Sequence, residues 1–178
     1  ADMVDGFGGG RTAQDKITIM HDSHIGSYGV LALCLSIVLR AGLLSSLCAL
    51  PLRPDTFIIL MTFFVAASRW QILFLLRGFP VSDKAQLGQL MSPPSPSQLI
   101  FATCIWLLPV IMLFGPVTGS VLAGSALVST ICVGRLAMSE IGGLTGDIMG
   151  ASVIISEISM MLALVLLTSF LPSALDLF

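Results

Sequence analysis

"LIFATCIWLLPVIMLFGPVTGSVLAGSALVSTICVG", residues 99–134, runs for 36 residues without a charged side chain. As one straight helix it would be about 54 Å long, against a bilayer hydrocarbon core of about 30 Å. The stretch therefore has to double back, and Gly115-Pro116 is the hinge its composition offers. Whether it crosses once or twice decides the topology of everything around it.

Three more apolar runs are long enough to cross a bilayer, which takes about 20 residues. "VLALCLSIVLRAGLLSSLCAL" covers roughly 30–50 and stops before the turn-like "PLRPD". "TFIILMTFFVAASRWQILFLL" covers roughly 56–76, and a last run spans roughly 148–171, ending at Pro172. With 99–134 split in two, five crossings result. The fold expected is all-α, a polytopic membrane helix bundle with about five transmembrane helices. Composition agrees: of 178 residues 56% are hydrophobic and 10% charged, with mean hydropathy +1.01, where soluble domains carry about 25% charged residues.

Five crossings place residues 1–29, 77–98 and 135–150 on one side of the membrane. That side holds Arg11, Lys16, Arg77, Lys84 and Arg135, and the other only Arg53. Basic loops stay cytoplasmic, so a multi-pass protein with its motif face toward the cytoplasm is expected. The organisation expected is one integral-membrane domain over 1–178. Residues 1–29 form an acidic and glycine-rich motif region, and 30–178 hold the helices with cytoplasmic loops 77–98 and 135–150. Net charge −2 argues against nucleic acid as a partner. Cys34, Cys48, Cys104 and Cys132 lie inside apolar runs without a C-x-x-C pair, so neither a zinc site nor a disulfide framework is indicated. The chain starts without Met and inside a motif, as a fragment would.

The unusual chemistry gathers in "ADMVDGFGGGRTAQDKITIMHDSHIGSYG" (1–29) and "SEIGGLTGDIMGA" (139–151). Asp2 and Asp5, three apart, share one helix face, and Asp22 follows after room for a helix to end and another to return. Mg²⁺ binds through carboxylates together with substrate phosphates, so Asp2, Asp5 and Asp22 are candidate metal ligands; solvated carboxylates at a helix start are the plain alternative. Gly8, Gly9 and Gly10 could leave backbone N–H groups facing a phosphate, or merely connect, and no P-loop pattern is present. Arg11 offers a fork donor. Asp15 beside Lys16 reads as a solvated face. His21 and His24 flank Asp22 and Ser23 as interfacial residues or, when protonated, phosphate contacts. Gly26 and Gly29 have the spacing of helix packing. In "GGLTGD", Gly143 and Thr145 are candidate substrate contacts. Asp147 is either a base or metal-shell residue, or the N-cap of the last helix. Glu157, inside the last span, needs a partner, and so do Arg69 and Arg40; a Glu157–Arg69 ion pair and an active-site role both remain open.

"DMVDGFGGG", "KITIMHDSHIGSYGVLAL", "GGLTGDIMGASVIISE" and the "SRW" at 68–70 resemble the cobalamin synthases, the adenosylcobinamide-GDP ribazoletransferases. The likeness extends through most of the chain. In that family the first motif begins upstream of Ala1 with a His and a further Asp, and helices precede it, so the chain resembles roughly the last two-thirds. His21 and His24 stand where such proteins usually carry Lys or Arg. The resemblance implies a bacterial inner-membrane enzyme that needs Mg²⁺. It would join α-ribazole, or its 5′-phosphate, to adenosylcobinamide-GDP and release GMP. Asp22 and Asp147 would be catalytic, Gly8, Gly9, Gly10, Arg11, Ser23, Gly143 and Thr145 would touch substrate, and the bilayer would be a partner, with a homo-oligomer left open. A more distant likeness joins the acidic pattern to the CDP-alcohol phosphotransferases, whose fourth aspartate falls at Gly26 here. A lipid phosphotransferase and a transporter lined by Glu157, Arg69 and Arg40 are the rival readings.

Overall fold

A computed structural model describes residues 1–82 and 92–171. The expected positions of Lys84 and Pro172 lie outside them. Six helices make up the described chain: α1 Asp2–Gly9, α2 Ala13–Met20, α3 Ser27–Cys48, α4 Pro54–Gly78, α5 Pro96–Ile141 and α6 Gly146–Phe170. Among the described residues the one β feature is a single parallel bridge between Val81 and Leu144. The chain is an all-α bundle, and α3 to α6 are each long and apolar enough to cross a membrane.

Helix α5 carries the answer to the 99–134 question. Its helical backbone breaks at Gly115, with φ 80° and ψ 163°, a conformation that glycine reaches without a Cβ penalty. Pro116 then opens the next stretch, where its fixed φ suits a first helical position. The two arms are folded against each other. A Cβ built on Gly119 would lie 3.5 Å from Ile111 Cα, whereas eight residues of straight helix separate the two by about 12 Å. Leu99, Thr103 and Leu107 of the first arm share a cavity of about 330 Å³ with Ala123 and Leu127 of the second. Five helical passages follow, as expected.

Helices α4, α5 and α6 pack against one another, and α3 leans on α6 and α1. The interior between them holds Leu60, Phe64, Trp70, Trp106, Phe114 and Leu164. Helix α3 buries only Gly29, Leu43 and Leu47 and exposes Leu31, Leu35, Ile37 and Val38, the profile of a helix whose surroundings are themselves apolar. The ends differ from the expected loops. Helix α5 continues to Ile141 before Gly142, at φ 76° and ψ 10°, ends it as a left-handed C-terminal glycine does. The connection to α6 is thus four residues, 142–145, instead of a loop over 135–150. Residues 2–20 form two short helices, Asp2 and Asp5 sharing the first as their spacing suggests, and Gly8 and Gly9 lie inside that helix rather than in a loop.

Candidate functional site at one end of the bundle

Three segments far apart in sequence meet at one end. Met3, Ile17 and Met20 from α1 and α2 share an apolar cluster with Leu75 and Leu76 of α4, Val133 and Ile141 of α5, and Ile148 of α6. Lys16 pairs with Glu140 at the end of α5. Leu144 N–H donates to the Pro80 carbonyl at 2.9 Å and Ser82 N–H to the Leu144 carbonyl at 3.0 Å. The motif regions 1–29 and 142–147 therefore share one end, as five crossings require, and Arg53, paired with Asp55 at 2.9 Å, marks the start of α4 at the other.

The glycines of this end allow close approach. A Cβ on Gly8 would lie 2.9 Å from the Tyr28 ring, and one on Gly10 2.6 Å from Lys16 N. Gly8 and Gly9 fall inside α1, so most of their N–H groups are engaged in helix, and the run brings α1 against α2 and α3. Gly143 is buried, and a Cβ there would come within 2.7 Å of Ser82 N. That closeness is what lets 80–82 bridge to Leu144.

The aspartates have separate fates. Asp5 is 6% exposed, and its two oxygens accept N–H bonds from Gly26 at 2.9 Å and Gly29 at 2.8 Å. It caps α3 from a distance, since Gly26, the N-cap residue, has no side chain to do so. A Cβ on either glycine would lie 2.9 Å from Asp5 Cγ, which gives Gly26 and Gly29 a reason beyond packing. Asp22 is exposed and turns onto His24, accepting its backbone N–H at 3.0 Å and meeting its Nδ1 at 2.8 Å. The His24 backbone N–H first, then its ring, hold the Asp22 pKa below the ordinary carboxylate value. Asp2 makes no hydrogen bond, and no three of His, Cys, Asp and Glu among the described residues stand together as a metal-holding group. Among the described residues Asp2, Asp5 and Asp22 do not stand together as a metal-holding group, and each Asp5 oxygen accepts an N–H bond from the start of α3.

Thr145 is the N-cap of α6, its Oγ1 accepting from Ile148 N–H at 3.4 Å. Asp147 is therefore not the cap. It stands half-buried in the first turn of α6 with no side-chain hydrogen-bond partner among the described residues, where a negative charge is favoured by the helix end. Asp15, read as a solvated carboxylate, is exposed and also closes a capping box with Thr12, whose hydrogen bonds lower its pKa. Arg11, His21 and Ser23 are exposed, and their side chains make no hydrogen bond among the described residues. The end of the bundle thus presents Asp2, Arg11, Ser23 and Asp147 uncommitted, while Asp5 and Thr145 are engaged by backbone.

A second charged cluster lies deeper. Glu157, 4% exposed, pairs with Arg40 of α3, lies 3.5 Å from Arg69 Nη1 and accepts from Ser68 Oγ at 3.1 Å. Both arginines named in the sequence find the same carboxylate. Glu157 is eleven residues past Gly146, or about 16 Å at 1.5 Å per residue, close to mid-span. The sequence offered Arg69 as the partner and left Arg40 open; the packing of α3 on α6 that brings Arg40 to Glu157 is not visible in either span alone.

Fold and site together define a class: an all-α bundle of membrane-length helices with polar motifs gathered at one end. The family model for Cobalamin-5-phosphate synthase matches residues 1–165, and the chain belongs to that family. It is 34% identical over 171 residues to an adenosylcobinamide-GDP ribazoletransferase of Sinorhizobium sp., covering 93% of this chain and 64% of that one. A protein of that name from Bradyrhizobium diazoefficiens is 35% identical over 153 residues, covering 85% and 56%. The one from Ralstonia pickettii is 29% identical over 158 residues, covering 89% and 60%. The chain thus spans about three-fifths of the length of these relatives. No solved structure matches it.

Proposed function

We propose that this chain carries the transfer site of an adenosylcobinamide-GDP ribazoletransferase. A ribose hydroxyl of α-ribazole, or of its 5′-phosphate, attacks the phosphorus attached to the cobinamide side of the diphosphate. The new P–O bond forms as the bond to GMP breaks, GMP carries away the electron pair, and the hydroxyl proton passes to a base. Asp147 serves as that base or orients the hydroxyl, since its carboxylate is free and half-buried where the motif segments meet. Arg11 and Ser23 hold phosphate oxygens, Arg11 as a fork donor. Asp5 acts through α3, holding the start of that helix beside the motif loop. Such transfers depend mostly on positioning and charge neutralisation.

Magnesium belongs to the proposal as the positive partner of the diphosphate. One or two carboxylates together with substrate phosphates are enough to hold it, and Asp2 and Asp22 are the two left for that task. The motif face is proposed to be cytoplasmic, at a bacterial inner membrane, because Arg11, Lys16, Arg77 and Arg135 lie toward it.

The observation that carries this reading is the convergence of residues 1–29 with 142–147 at one end, in a chain whose relatives bear this activity's name. The test is GMP release by membranes containing the protein, given adenosylcobinamide-GDP, α-ribazole 5′-phosphate and Mg²⁺. Release of GMP, inhibited by guanosine but not cytidine nucleotides, is expected. Turnover of a CDP-linked lipid donor instead would overturn the assignment.

A further inference from the structure

Two buried side chains on facing helices carry polar atoms with no protein partner. Gln71 of α4 is fully buried, and neither its Oε1 nor its Nε2 meets a donor or acceptor; Ser156 Oγ of α6 is equally alone. The register puts them at one level. Ser68 touches Glu157, Gln71 lies about one turn along α4 from Ser68, and Ser156 directly precedes Glu157.

Ser156 is also the exception among the serines of its helix. Ser152 donates to the Met149 carbonyl at 2.7 Å, Ser159 to Ile155 at 2.8 Å and Ser169 to Val165 at 2.8 Å. Back-bonding of this kind is the usual resort of a helical serine. Ser156 leaves its hydroxyl proton unspent, in a place where the neighbouring helix offers an equally unspent amide.

We propose that water occupies the α4–α6 seam at this level, bridging the Gln71 amide and the Ser156 hydroxyl one turn from the Arg40–Glu157–Arg69 cluster. A dry amide among apolar side chains is costly, and buried waters are held by groups of this kind, typically through about three hydrogen bonds. The amide offers two donors and an acceptor, the hydroxyl one donor and lone pairs, so one or two waters satisfy both. The consequence is a hydrated contact between α4 and α6 next to the level where Ser68 and Arg69 of α4 meet Glu157 of α6.

Water-edited solid-state NMR of the protein labelled at glutamine and leucine in bilayers tests this, the Gln71 side-chain signal being assigned by its loss in Gln71→Leu. Magnetisation from water should reach Gln71 Nε2 about as fast as it reaches the side chain of exposed Gln98. Build-up as slow as at the amides of buried Leu60 and Leu75 would overturn the proposal. The variants give a second readout. Gln71→Leu and Ser156→Ala should each lower Tm by about 2–8 °C, and together by clearly less than the sum, since both lose the same water. A rise in Tm for Gln71→Leu, as relief of a dry amide would give, contradicts it, and so do additive losses.

Discussion

The motif end and the mid-span cluster handle their charges in opposite ways. At mid-span Glu157 is shared by Arg40, Arg69 and Ser68, and the charges of three helices answer one another. At the motif end, Asp5 and Thr145 are engaged by backbone N–H groups, while the side chains of Asp2, Arg11 and Asp147 have no hydrogen-bond partner among the described residues. A charge deep in an apolar bundle is tolerated only when paired, because solvent cannot reach it. Close to water, an unpaired charge costs little and stays available for a ligand. The distinction separates the charges that hold the fold from those that can do chemistry.

The comparison breaks most readily at Glu157. Glu157→Gln leaves two guanidiniums without a counter-charge, and loss of about 3–5 kcal/mol is expected, toward the low end because Arg69 and Arg40 are partly exposed. The fraction of folded protein recovered from membranes, followed by thermal unfolding, measures it. An unchanged Tm would show that the cluster does not hold α3 and α4 to α6.

Asp147→Asn sharpens the other half. Thr145 already caps α6, so stability should not move, while turnover falls by about 10²–10⁴-fold if the carboxylate handles the proton. Paired measurement of GMP release and Tm separates the outcomes. Wild-type turnover would remove Asp147 from the chemistry.

Gly29→Ala drives a Cβ toward Asp5 Cγ, 2.9 Å away, and should cost about 1–3 kcal/mol. The double variant Asp5→Ala/Gly29→Ala should lose far less relative to Asp5→Ala alone, because the carboxylate makes the severe part of the clash and only Ala1 Cβ, at 3.2 Å, remains close. If the glycine substitution costs the same in both backgrounds, Asp5 does not cap α3.

The smallest effect is that of pH on Asp22. Its pKa in the folded chain lies below the usual 3.8 through bonds to His24. The turn's contribution is therefore complete above about pH 3.8 and is lost as pH falls through the lowered value. A titration of the His24 amide shift by NMR should give a midpoint below 3.8, and in Asp22→Asn the midpoint should disappear.

Span positions and the hinge were legible because they depend on length against bilayer thickness and on one Gly-Pro pair, Gly115-Pro116. The family was legible from the motifs. What lay beyond reach was the use made of each motif residue. D-x-x-D-G suggested a metal pair, yet Asp5 serves the start of α3 through Gly26 and Gly29, twenty-one and twenty-four residues away. That bond depends on the angle between α1 and α3, which no local pattern encodes. Asp147 was weighed as a cap although Thr145, two residues earlier, has the better cap position and a hydroxyl of the right reach. The glycines of "GFGGG" suggested a loop because glycine opposes helix in isolation; packing against Tyr28, Lys16 and Ile19 outweighs that preference.

The central claim is that the fold-back at Gly115 sets residues 1–29 and 142–147 on one side of the membrane. On a background with Cys34, Cys48, Cys104 and Cys132 replaced, single cysteines at Ser23 and Gly142 can be probed from each side with a membrane-impermeant thiol reagent. Both positions are exposed at the motif end. The account predicts that the two are labelled from the same side, and that a cysteine at Arg53 is labelled from the other. Labelling of positions 23 and 142 from opposite sides would contradict it.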